Sequence, residues 1–176
     1  MQKKENLDCY RKKLPYPSDR KIEKYIKEAE KEWRKIENKI LQSLSEITRI
    51  KWKEKEVFCY VIGRGVPISD PLTMEIYEKR IDWFIDVMIH ELIHRLFCQE
   101  DNLKKFYKLG EKYKKDIHTT VHIVLNAIHK EVYLKFFNKK RLLREIKIFS
   151  NYPEYKEAWD FVEKNDYKKI IKDFAF

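Results

Sequence analysis

Glycine and proline are scarce in this chain, three and five among 176 residues. So few backbone breakers leave room for only few and short loops. The three cysteines, Cys9, Cys59 and Cys98, are dispersed and form no CxxC pair. An odd, scattered set excludes a disulfide framework and points to a reducing cytoplasm. The polar stretch Met1–Lys13 has no apolar signal core, and no apolar run approaches a membrane span. A soluble cytoplasmic protein with no membrane partner is expected. Internal repeats and low-complexity tracts are also absent.

What is present is globular in character. Hydrophobic residues make up 43% and charged residues 39%, with four Trp, eleven Tyr and ten Phe, enough to build the core of one domain. The net charge is +10. Lys and Arg are interleaved with Glu over most of the chain, the pattern of solvated helix faces. No nucleic-acid-binding motif accompanies the charge, so nucleic acid is not an expected partner.

Met1–Ser18 reads as an N-terminal arm ending in the stiff Pro15-Tyr16-Pro17, and residues 19–176 as a single domain. Asp19 is a candidate N-cap. From Arg20 to Ile47, apolar residues such as Tyr25, Ala29, Trp33, Ile40 and Leu44 recur at three- and four-residue steps, which predicts one long amphipathic helix. Glu56–Ile62 reads as a strand, and Ile50–Lys53 is a candidate for a shorter one. Gly63 to Pro71 reads as a loop and Leu72–Tyr77 as a second strand. An extended substrate could pair with Leu72–Tyr77, although ordinary sheet pairing is the preferred reading. Helices are predicted over Glu78–Phe97, Leu103–Lys115, Asp116–Asn138 and, last, Glu154–Phe174. The class is α+β and mostly helical, with a small sheet of two or three strands.

The Glu78–Phe97 helix carries His90-Glu91-Leu92-Ile93-His94, an HExxH motif. Residues i and i+4 share a helix face, so both imidazoles can address one metal ion. Glu91 projects roughly 100° away, where it reaches a water rather than the metal. Ile81, Ile85, Met88, Ile89, Leu92 and Leu96 form an apolar stripe, with Trp83, Asp86, His90 and His94 opposite. Asp86, at i−4 from His90, is a candidate partner for an imidazole, or else a surface charge. Cys98 reads as a small buried thiol. Tyr152 and Tyr155 read as core aromatics in preference to the alternative, that one of them donates to a transition-state oxygen.

A catalytic zinc takes three protein ligands and a water. The other three histidines, His118, His122 and His129, lie with Asn126 on one polar stripe of the Asp116–Asn138 helix. His122, at the middle of the stripe, is the preferred third ligand; His129, His118 and Glu131 are the alternatives. Glu131 is nine positions past His122, about 180° round the helix, so it cannot share the histidine face.

On these residues the chain resembles the zincin metallopeptidases, and in size their small single-domain members, the minigluzincins. HExxH is their motif; a long helix, a small sheet, the motif helix and a second ligand-bearing helix are their order. The minigluzincin glutamate motif does not appear cleanly: His118-Thr119-Thr120-Val121-His122 occupies the corresponding helix. The extended metzincin motif is absent. The resemblance implies a zinc (Zn2+) metallopeptidase that hydrolyses peptide bonds of a peptide or protein substrate, by a zinc-bound water with Glu91 as general base. Two alternatives stay open: a non-catalytic domain whose zinc is closed by a fourth ligand such as His118 or His129, and a basic nucleic-acid-binding module. An N-terminal arm or a C-terminal tail, Lys172–Phe176, lying across the cleft would make the enzyme latent; a docked terminal helix is the other reading of the tail.

Overall fold

The computed structural model describes residues 15–99 and 101–176. The first fourteen residues of the expected arm, Cys9 among them, lie outside the described residues. The end of the arm is pinned: Arg64 donates to the Pro15 carbonyl, and the Gly63 amide donates to the Tyr16 hydroxyl at 2.8 Å.

Among the described residues, eight helices and three short strands make an α+β fold that is mostly helical. Helices α1 (Asp19–Trp33) and α2 (Glu37–Thr48) precede strands β1 (Tyr60–Ile62), β2 (Ile68–Ser69) and β3 (Leu72–Glu75). Then follow α3 (Ile81–Cys98), α4 (Leu103–Tyr113), α5 (Ile117–Phe136), α6 (Lys139–Phe149), α7 (Pro153–Lys164) and α8 (Tyr167–Ala175). No helix among the described residues is long and apolar enough to cross a membrane.

The single long helix expected over Arg20–Ile47 is two helices. The break falls at Arg34–Ile36, where Ile36 leaves the helical region at φ −126°. No glycine or proline marks it. Its cause is tertiary: α1 packs on α3, whereas α2 turns toward α5 and α8, where Ile40 and Leu44 are fully buried. A straight rod would carry that apolar face past the core. Asp19 is not the cap but the first helical residue, where its charge suits the helix dipole. Ser18 holds the cap position, and its carbonyl accepts from Ile22 at 3.0 Å.

The expected last helix is also two. Asn165 is extended, and Asp166 caps α8 by accepting from the Lys168 amide at 2.9 Å. The turn lets Phe174 pack at about 5 Å, centroid to centroid, from Phe97 and Phe106. The tail is thus a docked helix and not a strap over a cleft; Asp173 accepts from Lys112 and Tyr113.

The sheet has the order β1-β3-β2, with β1 parallel and β2 antiparallel to β3. β1 is only the last three residues of the predicted Glu56–Ile62 strand. Ile50–Lys53 forms no strand: Ile50 is buried and the Trp52 indole donates to the Leu41 carbonyl at 3.0 Å. β2 arises inside the predicted loop and turns into β3 through Asp70-Pro71, whose peptide bond is cis. β3 is central, so Leu72–Glu75 pairs within the sheet on both sides and has no edge for a substrate.

The core centres on α3 and α5. Ile89, Ile93 and Leu96 from one, and Ile123 to Leu125, Ala127 and Ile128 from the other, are fully buried. Buried with them are Asp86, His90, His122, Asn126 and His129. Polar groups in such surroundings need partners, and that need shapes the site.

Candidate metal centre

Helix α3 delivers His90 and His94 one turn apart, and α5 delivers His122 from across the interface. The ring centroids are 4.9 Å apart for His90–His94, 5.1 Å for His94–His122 and 5.9 Å for His90–His122. One nitrogen from each ring lies within 4.8 Å of the others, and this trio can hold a metal ion. Among the described residues it is the only group of three or more His, Cys, Asp or Glu side chains so arranged. Nitrogens sharing a tetrahedral zinc with bonds of about 2.1 Å would sit roughly 3.4 Å apart, somewhat closer than the spacing seen here.

Local structure sets the state of the three imidazoles. Asp116 caps α5 by accepting from the Thr119 amide at 2.9 Å, which fixes where the histidine stripe begins. His122 Nδ1 lies 2.9 Å from the His118 carbonyl. A carbonyl only accepts, so Nδ1 carries the proton and Nε2 presents its lone pair. Burial, then the neighbouring histidines, holds His90 well below the ordinary imidazole pKa. The same causes hold His94 down to about 3. Neutral imidazoles are the ligating form.

The trio opens on a cleft of about 470 Å³ lined by Pro67, Ile68, Ser69, Glu91, His118 and Tyr155. β2 is one of the two edge strands of the sheet and forms one wall. Arg95, the residue after His94, holds that wall in place: it donates to the Ser69 carbonyl at 2.9 Å and pairs with Asp70 and Glu54. The Glu91 carboxyl lies on the same cleft, and burial pushes its pKa up to about 7.

The remaining candidates are not members of this converging set. His118 is exposed at the mouth of the cleft, 4.5 Å ring to ring from His122. His129 is buried behind His90, with centroids 6.2 Å apart. Glu131 faces away and accepts from the Tyr167 hydroxyl at 2.8 Å. Asp86 is neither an imidazole partner nor a surface charge. It is 1% exposed, and accepts from Arg141 at 2.7 Å and Arg144 at 2.8 Å. The two guanidiniums donate to both carboxylate oxygens.

Several neighbours differ from the preferred expectation or were missed. Tyr155 is not packed as a core aromatic; it borders the cleft, 4.7 Å ring to ring from His122, where the alternative role of a donor is sterically open. Phe149 stacks on His90 at 5.8 Å and 3°. Cys98 is an exposed thiol. Glu145 of α6 is 2% exposed and faces His129. A signal for Glu145 existed: Leu142, Glu145, Ile146 and Phe149 share helical spacing, so a carboxyl occupies a position in an apolar stripe.

No family model, no curated protein and no solved structure matches the chain. Function is therefore read from the site itself.

Proposed function

We propose that the chain is a zinc-dependent metallopeptidase of zincin type, acting in the cytoplasm on a peptide or protein substrate. One observation carries the reading: three histidine nitrogens converge beside the Glu91 carboxyl on an open cleft. His90, His94 and His122 would hold zinc, which supplies Lewis-acid polarisation of a carbonyl and acidifies a water when bound. Glu91 accepts a proton from the attacking water and returns it to the leaving amine. Tyr155 offers a hydroxyl to the carbonyl oxygen as negative charge develops. An extended substrate adds to the β2 edge, bringing its backbone past Glu91.

The set of three supports a catalytic reading over a zinc staple, since neither His118 nor His129 joins it as a fourth ligand. The test is metal content together with hydrolysis. Purified protein should bind one zinc and cleave unfolded proteins, with fragments identified by mass spectrometry. Glu91→Gln should keep the zinc and lose at least roughly 100-fold in rate, the scale of general-base catalysis. A protein without stoichiometric zinc sinks the proposal. Zinc bound without hydrolysis in the unsubstituted chain returns the reading to the staple.

A further inference from the structure

His129 and Glu145 are buried in the core behind the metal cleft, 1% and 2% exposed, and the chemistry above uses neither. Neither ring nitrogen of His129 has a hydrogen-bond partner among the described residues. A buried, unpartnered imidazole is costly and calls for an explanation. His90 poses the complementary problem. A metal-bound imidazole has a second ring N–H, and in a ring only 6% exposed an acceptor inside the protein serves it well. Of the rings around His90, His94 and His122 are ligands of the same ion, and Phe149 has no acceptor. Asp86 is engaged by Arg141 and Arg144. Tyr155 lies on the cleft side. His129 remains, with centroids 6.2 Å apart and planes at 61°. Beyond it, Glu145 Oε1 lies 3.9 Å from His129 Nδ1. That gap is about 1 Å longer than a hydrogen bond, within reach of a ring rotation.

We propose that His129 and Glu145 are positioning residues for the metal ligand His90: metal-loaded His90 donates its second ring N–H to His129 Nε2, and His129 Nδ1–H donates to Glu145 Oε1. The chain of two bonds gives both ring nitrogens of His129 a partner. It fixes the tautomers of both histidines and gives His90 the hydrogen-bond acceptor that Asp86 does not supply. It rests on the reading of His90, His94 and His122 as a metal site.

The test uses Zn2+ itself and the full chain. Affinity is read by competition with a chromophoric chelator, and ring tautomers by long-range 15N–1H spectra of the labelled protein. The zinc-loaded chain should show singly protonated His90 and His129 rings with a downfield, slowly exchanging N–H. His129→Leu should weaken zinc roughly 10- to 100-fold, the usual cost of an outer-shell partner. His129→Gln, which restores a donor and an acceptor, should recover most of that loss. Tyr155→Phe should change neither readout.

A zinc-loaded chain without a protected His90 N–H overturns the proposal without any variant. So does wild-type affinity in His129→Leu, or loss of the signal in Tyr155→Phe. A chain that binds no zinc overturns the metal reading and the relay with it. A chain that binds zinc tightly but lacks the signal overturns only the relay.

Discussion

Asp86 offers a quantitative test of what holds the motif helix. Its carboxylate is 2% exposed and bridges Arg141 and Arg144 of α6, one turn before His90. Burial raises its pKa more than the two guanidiniums lower it, so the ionised carboxylate is not comfortable there. Such a pair is expensive to break and nearly neutral to replace. Asp86→Ala leaves the Arg141 guanidinium, 16% exposed, without this carboxylate, whereas Arg144 keeps Asp82. The expected loss is about 3–5 kcal/mol. At about 2–4 °C per kcal/mol for a chain of this size, melting should fall by roughly 6–20 °C. Asp86→Leu combined with Arg141→Leu should recover most of it, because no buried charge is stranded. Urea unfolding followed by circular dichroism, with chelator present to remove metal linkage, gives both values. A loss below about 1 kcal/mol for Asp86→Ala would mean the pair behaves as a solvent-screened one. A double variant no better than the single would show that charge stranding is not the cause.

Two further outcomes follow from the site and its surroundings. His122→Ala should weaken zinc by more than roughly 100-fold, beyond the cost of an outer-shell partner, while Glu131→Gln leaves affinity unchanged; equal effects in a chelator competition would reinstate Glu131 as a ligand. Burial, with Asp86 adding to it, pushes the Glu145 carboxyl up to about 8, above its unfolded value of 4.5. Between those values the folded chain binds the extra proton, so this group's stability is full below about pH 4.5 and lost as pH rises through about 8. The slope is about 1.4 kcal/mol per pH unit, and Glu145→Gln should remove it. Its melting temperature relative to the unsubstituted chain should climb from pH 5 to pH 8; a constant difference refutes the assignment.

Much of the chain could be read before folding. HExxH spacing on a helix places two imidazoles and a carboxyl on adjoining faces, a property of 3.6 residues per turn alone. The stripe of His118, His122 and His129 on α5, and the exclusion of Glu131 from it, follow from the same geometry. So does the mixed, mostly helical class, because apolar periodicity is local information. The breaks at Arg34–Ile36 and Asn165 differ in this respect. Asn165-Asp166 carries a capping signal in its residues, but Arg34–Ile36 does not. It exists because α2 finds its burial against α5 and α8.

Which stripe residue meets His90 and His94 was not local either. The crossing of α3 and α5 selects His122, leaves His118 at the surface and seals His129 in the core. The partner of Asp86 was equally hidden, since Arg141 and Arg144 are more than fifty residues away and reach it only once α6 packs on the far side of the site. Sequence alone determined which residue types could meet at the site and the helix faces they occupy, because helical periodicity is set residue by residue. Tertiary structure alone decided which face meets which, because that choice minimises buried apolar area left open and buried charge left unpaired across the whole chain.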